Sequence, residues 1–288
     1  MKVTLLNPEA VLNAFKNIGH FASVCKNDPH AKIDYEKIGI NCVRANHGSP
    51  CRAIEWCFLL EDISRICTHQ LVRHSIGVAI NQMSGVFMPT NVSEDNIVIP
   101  PTVAAIIATE PQGELAQDIE TLISLSGKIV SGLRDRGISN SDSRYFAPEA
   151  IKSGMNIAVT PEALRHICHE RLCTKAQWEI RQVVRAMAVE VCKIDPRWKE
   201  FLVPKCVHFN GCKEALGCGY FNKLKTNPNN EKVPAKIEER LITYKCSHCD
   251  TVLQAKDDDE IPGITITGTD GLERFICRRC ARVVGENV

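Results

Sequence analysis

The sequence predicts a mixed α/β (α+β) body, mostly helical, followed by a small zinc-ribbon-like tail. Three observations carry this. The apolar runs "VTLL" and "EWCFLLED" read as short strands, and each leads into a helical pattern. The stretches from residue 114 to 136 and from 160 to 192 repeat apolar side chains at helical spacing. Of the 15 cysteines, the last seven gather in "CVHFNGCKEALGC", "CSHC" and "CRRC" beyond residue 205.

The elements follow in order. After "VTLL", Asn7 is an N-cap and Pro8 the first helical residue of "NPEAVLNAFKNI". "EWCFLLED" then passes into "ISRICTHQLVRH", whose Ile63, Ile66, Cys67 and Leu71 fall on a helical stripe. The Gly, Asn, Gln, Ser and Gly stretch that follows reads as an ordered loop. "ELAQDIETLISLSGKIVSGLRDRG" places Leu115, Ile119, Leu122, Ile129 and Leu133 on one face, and Gly137 supplies a left-handed stop. "TPEALRHICHERL" starts at Thr160, and "TKAQWEIRQVVRAMAVEVC" restarts at Thr174 with Gln177 completing a capping box. Leu172 and Cys173 then mark a break between two helices, with Arg171 at the end of the first.

Composition sets limits. A chain of 288 residues with 44% hydrophobic and 24% charged residues has ordinary globular usage. Its net charge of +1 offers no global attraction for nucleic acid or acidic lipid, so an anion site must be built locally. No window reaches the roughly 18 uncharged apolar residues of a membrane span. The N-terminus lacks a secretory pattern, so the expected location is cytoplasmic and its thiols are reduced. Cys25, Cys42, Cys51, Cys57, Cys67, Cys168, Cys173 and Cys192 sit in apolar-patterned segments and read as core. "KLKTNPNNEKVPAKIEER" is polar and aperiodic, which divides the chain into a body (1–221), a linker (222–240) and a tail (241–288).

Two polar clusters interrupt the body. Gln70, Arg73 and His74 fall on the last turn of a helix, where cationic side chains also suit the helix dipole. Ser84 and Gly85 follow, and a hydroxyl and a glycine amide beside an arginine can cradle a phosphate oxygen. Arg165, His166, His169, Glu170 and Arg171 crowd one helix, which requires either a ligand-facing cleft or a solvated face.

Taken together these stretches resemble the flavin-dependent thymidylate synthases. "QLVRHSIGVAINQMSGVF" resembles their RHR motif with its following Ser, Gly or Gln, Arg and Tyr, allowing one extra spacer residue. "HGSP" at 47–50 resembles GHxSP, and "SRYFAP" at 143–148 resembles ARxxLP. "LRHICHERLCTKAQWEIR" at 164–181 resembles the LxxLLHFxxLRxxxxAQWEIR helix pair, and "CVHFNGCKEALGC" the Cys-bearing end of some members. The resemblance spans roughly residues 40–220. It implies an α/β fold assembled as a homotetramer, with FAD between subunits, NADPH as reductant and methylenetetrahydrofolate as carbon donor to C5 of a deoxypyrimidine monophosphate.

By position, it implies that Gln70, Arg73, Ser84, Gly85 and Arg144 hold the nucleotide and its phosphate. Arg171 would contact the pyrimidine as the catalytic residue, and His47, Arg73, His74 and His166 would line the flavin. Departures stand beside the matches. Ser75 replaces the second motif arginine, Val86 and Phe87 replace the final Arg and Tyr, Arg52 stands where Glu follows GHxSP, and Glu162 occupies an arginine position. These leave open a pyrimidine nucleotide hydroxymethylase, or a noncatalytic synthase fold bearing a zinc-ribbon interaction module.

The tail stands apart. Cys246 and Cys249 are separated by 27 residues from Cys277 and Cys280, a C-x-x-C pair of knuckles that suits tetrahedral zinc. Residues 231–288 hold nine Lys or Arg against eleven Asp or Glu, which disfavours nucleic acid despite Arg278, Arg279 and Arg282. Cys206, Cys212 and Cys218 leave open a second metal.

Overall fold

The computed structural model describes residues 1–26 and 33–222, together with four later strands. In chain order the elements are β1 (Lys2–Leu5), α1 (Pro8–Leu12), α2 (Ala14–Ser23), α3 (Tyr35–Arg44), α4 (Gly48–Cys51), β2 (Trp56–Ser64), α5 (Arg65–Leu71) and β3 (Val78–Gln82). There follow α6 (Pro101–Thr109), α7 (Glu114–Arg134), α8 (Asn140–Ser143), β4 (Lys152–Val159), α9 (Pro161–Arg171), α10 (Trp178–Ile194) and α11 (Lys205–His208). The late strands are β5 (Ile242–Lys245), β6 (Val252–Ala255), β7 (Gly263–Thr267) and β8 (Glu273–Cys277). No described helix is long and apolar enough to cross a membrane.

The chain forms two compact units. The first, residues 1–83 with 152–235, is built on an antiparallel sheet of order β1-β2-β4-β3. Along β2 the buried positions Trp56, Phe58 and Leu60 alternate with half-buried ones, the period-2 pattern of a sheet with one face on the core. A bulge then shifts the register: Leu60 pairs with Met155 but Ile63 with Ser153, and Asp62 takes a left-handed φ of 57°. The extra residue turns the strand directly into α5. Against the sheet lies a core in which Phe15 stacks on Trp198 at 4.4 Å and Trp56 meets Trp198 edge-on at 4.7 Å. α9 and α10 add Leu164, Ile167, Val183 and Met187 to it.

The second unit, residues 84–151 with 236–288, has a small core of Val92, Ile97, Ile123, Val130 and Ile151. Here β5 pairs with β6 and β7 with β8, both antiparallel.

Several local expectations hold. Thr160 caps α9 by accepting from the Ala163 amide at 3.2 Å, and Arg171 is its last residue. Gly137 takes φ 81° and donates to the Arg134 carbonyl while Ile138 donates to Leu133, the 5→2 and 6→1 pair of a glycine helix stop. Of the eight cysteines expected in the core, Cys42, Cys51, Cys67, Cys168 and Cys192 are buried, whereas Cys57 and Cys173 are only half-buried and Cys25, contrary to that expectation, is exposed.

Others are corrected. The apolar stripe of α7 chosen from periodicity is largely the outer one: Leu115 is 53% exposed and Leu122 62%, whereas Ala116, Ile123, Ser126 and Val130 face the core. Helix α10 begins at Trp178, not at Thr174. Residues 173–176 form a turn closed by the Ala176 amide on the Cys173 carbonyl, and Gln177 is itself the cap, accepting from the amides of Glu179 and Ile180. α5 ends at Leu71, so Arg73 and His74 lie just past its last turn. The proposed linker, apart from Asn222, lies outside the described residues. So do Cys246, Cys249 and Cys280, while of Cys277 only its place at the end of β8 is described.

Candidate active site

In the first unit the site grows from the contact between the segment after α5 and the end of α9. The Nε–H of Arg171 donates to Nε2 of His74 at 2.9 Å. Burial pushes the His74 imidazole down to about 4, and the Arg171 guanidinium, His166 and Arg73 add to that. His74 is therefore neutral near pH 7, with its proton on Nδ1 and an acceptor lone pair for Arg171. Among the described residues no other acceptor engages Arg171, so the two Nη groups are left as an open planar fork. The His166 ring lies edge-on to His74 at 6.3 Å, from an exposed position on α9.

What holds this geometry is partly the AQWEIR segment. Its Glu179 is buried and its carboxylate accepts from the Ser64 amide at 2.6 Å and from the Ser64 hydroxyl. Ser64 Oγ in turn caps α5 through the Cys67 amide. Gln177 thus starts α10, and Glu179 fixes the start of the helix that carries Gln70 and leads to Arg73 and His74. Gln82 on β3 donates to Thr68 of the same helix at 3.1 Å. Gln177 and Glu179 belong to the AQWEIR match, whereas Ser64 and Gln82 carry no sign in the sequence beyond their polarity.

His47 caps α4 from an exposed position. The backbone before it is held by buried Arg165, which donates to the Val43 carbonyl at 2.9 Å and to the Asn46 side chain. Arg52 donates to Glu162 with Nε–Oε2 at 2.5 Å, which ties α4 to the first turn of α9. The two sequence departures at these positions are therefore partners of each other. Deeper in α9, His169 stacks on His208 at 4.3 Å, and burial pushes it down to about 3. Its Nε2 is buried with no hydrogen-bond partner among the described residues.

The second unit holds the other three predicted nucleotide ligands, and it brings them together. A β-carbon added to Gly85 would lie 2.4 Å from Nη1 of Arg144, so the guanidinium occupies the space a side chain would take. Ser84 Oγ accepts from the Val86 amide at 3.2 Å, and Asn140 donates to the Val86 carbonyl at 3.2 Å. A hydroxyl, a bare backbone and a guanidinium thus adjoin, the donor set for an anionic oxygen. Val86 and Phe87 are exposed, Phe87 by 84%.

The first unit is thus an antiparallel sheet flanked by helices, with an arginine fork anchored on a neutral histidine. Residues 9–197 match the model of the thymidylate synthase complementing protein family. The chain belongs to that family, as a divergent enzyme among the flavin-dependent thymidylate synthases. The flavin-dependent thymidylate synthase of Pyrococcus abyssi is 29% identical over 229 residues, covering 74% of this chain and 90% of the relative. That of Nitratidesulfovibrio vulgaris is 29% identical, covering 75% and 91%, and that of Clostridium tetani 28% identical, covering 78% and 96%. Among solved structures, the UMP/dUMP methylase PolB from Streptomyces cacaoi bound with 5-Br dUMP superposes with a TM-score of 0.51 at 17% identity, over 68% of this chain and 91% of that one; this likeness concerns the fold.

Proposed function

We propose that this enzyme transfers a one-carbon unit from methylenetetrahydrofolate to C5 of a deoxypyrimidine monophosphate, dUMP first among the candidates. The observation that carries the reading is the Arg171–His74 contact, in which a neutral imidazole takes the Nε and leaves a guanidinium fork for the carbonyl edge of a pyrimidine. FAD, reduced by NADPH, supplies hydride when bound, and His47, Arg73, His74 and His166 are the residues that would hold it. The paired imidazoles and the arginine form a donor set suited to a flavin and its phosphates. Arg171 orients and polarises the base, while Gln70, Arg73, Ser84, Gly85 and Arg144 take the sugar and phosphate.

The assembly we propose is a homotetramer in the cytoplasm. The body of residues 1–221 is joined through 222–240 to a tail in which Cys246, Cys249, Cys277 and Cys280 bind one zinc. Mass analysis of products after incubation with dUMP or dCMP, methylenetetrahydrofolate, NADPH and FAD tests the function. A methylated nucleotide is the expected product. A hydroxymethylated one would fit the altered residues Ser75, Val86 and Phe87, and a colourless protein inert toward every deoxypyrimidine nucleotide would refute the proposal.

A further inference from the structure

Apart from the residues proposed to bind nucleotide and flavin, a cavity of about 240 Å³ lies between the turn joining α9 to α10 and the segment 204–222. Four cysteines line it: Cys173 from the turn and Cys206, Cys212 and Cys218 from the segment. No disulfide joins them. The last three recur at every sixth residue, and the fold brings to them a cysteine 33 positions earlier than the first. Cys173 and Cys206 are half-buried and Cys212 and Cys218 exposed, so the four thiols reach the cavity from both its wall and its mouth. Thiolates crowded in this way are stable only around a cation.

The segment is tied at its start, where Lys205 pairs with Glu214 at 2.8 Å and with Glu170 at 3.7 Å and His208 stacks on His169. Beyond the short α11 it has left-handed turns at Asn210 (φ 52°) and Gly219 (φ 77°), and two of its large apolar side chains face outward, Leu216 80% exposed and Phe209 57%. A cross-link from the turn to its three cysteines would restrict the turns that follow α11.

Four thiols and three lysines on one cavity narrow the kind of cross-link. A zinc ion draws thiolates to about 2.3 Å from one centre. Among the described residues, no three His, Cys, Asp or Glu side chains approach closely enough to share one ion. An iron–sulfide core stands between its cysteines and holds them farther apart. Lys175, Lys205 and Lys213 also line the cavity, and cations suit the net negative charge that four thiolates leave on such a core. The Thr174 side chain and the Tyr220 backbone hydrogen-bond the Cys218 sulfur, as groups around cluster sulfurs do.

We propose that Cys173, Cys206, Cys212 and Cys218 ligate a [4Fe–4S] cluster. Each thiol gives up its proton and forms one sulfur–iron bond. Cys173 is two residues beyond Arg171, so ligation staples the turn that ends α9 and steadies the arginine fork.

The test is anaerobic reconstitution of the full chain with ferric chloride, sulfide and dithiothreitol, followed by gel filtration and analysis of iron, acid-labile sulfide and zinc, with Mössbauer spectra. About four irons and four sulfides per chain are expected. Cys206→Ser and Cys212→Ser should each remove more than half of both, whereas Cys249→Ser in the tail should leave them in place. Circular dichroism confirms that Cys212→Ser, whose side chain is exposed, is still folded. Zinc without sulfide, iron that follows only the tail cysteines, or no iron retained after reconstitution would each overturn the assignment. Metal content is read independently of nucleotide turnover, so this inference and the proposed function fail separately.

Discussion

Arg171 gives the sharpest test of the site because its atoms divide into an anchored part and a working part. The Nε–H bond to neutral His74 at 2.9 Å joins a charged donor to a neutral acceptor, a class of bond contributing about 1.5–3 kcal/mol. The two Nη groups offer the ligand a second such set. Arg171→Ala removes both and is expected to lower dUMP affinity by a factor on the order of 100 or more, with turnover lost. Arg171→Lys keeps the charge but has neither the Nε–H nor the planar fork, and should weaken binding about 10- to 150-fold. His74→Phe leaves the guanidinium intact but unanchored. It should cost up to about 30-fold, the side-chain entropy of an arginine set free. Nucleotide titrations followed by the flavin spectrum, normalised to bound flavin, measure all three. An Arg171→Lys enzyme that binds and turns over dUMP like the parent would refute the fork, and a harmless His74→Phe would refute the anchor.

Further outcomes follow from other contacts. Gly85→Ala sets a methyl 2.4 Å from Arg144 Nη1; the flexible side chain can swing away, so folding should survive while phosphate affinity falls about tenfold, as read by nucleotide titration. In acid, unfolded histidines take up protons at their ordinary 6.5, whereas native His74 and His169 wait until about 4 and about 3. The unfolded state then binds more protons, so stability is full above pH 6.5 and declines toward pH 4. The His74 share is roughly 1–2 kcal/mol after allowing for its solvent-facing side, and urea melts of parent and His74→Gln should differ in slope across that window. Trp198→Ala removes a fully buried ring stacked on Phe15 and should cost about 3–5 kcal/mol in the same melts.

The parts of this protein legible in its sequence are those fixed by neighbours along the chain. Thr160 caps α9 because its hydroxyl needs only the amide three residues on, and Gly137 stops α7 because a left-handed residue there needs only its own backbone. Thr174 satisfied the same local rule and failed it, because its side chain is taken by Cys218, 44 positions away, and Gln177 caps α10 instead. The face of α7 failed for a related reason. Leu115, Leu122 and Ile129 form as good a stripe as Ile119, Ile123 and Val130, and only Val92, Ile97 and Ile151 decide which is buried. At the site, Arg171 was visible from a motif. The neutrality of His74 was not, since it arises from burial beneath a segment 97 residues distant.

The departures from the family pattern likewise change meaning once they are placed in space. Taken singly, Arg52 and Glu162 are each a group with the wrong charge. In the structure they form one ion pair, so each reversal compensates the other and the tie between α4 and α9 is kept. The exchanged order also puts the carboxylate in the first turn of α9, where the helix dipole favours an acid over an arginine. Arg52→Glu should accordingly release flavin, and Arg52→Glu with Glu162→Arg should recover it; a double variant no better than the single would show that the contact does not maintain the site. With that pair removed from the list of losses, the remaining departures are Ser75, Val86 and Phe87, all within thirteen residues of one another around the predicted phosphate loop. Val86 and Phe87 flank Ser84 and Gly85, and Ser75 adjoins His74 without breaking its contact with Arg171, a distribution that fits the proposed change of ligand better than a decaying enzyme.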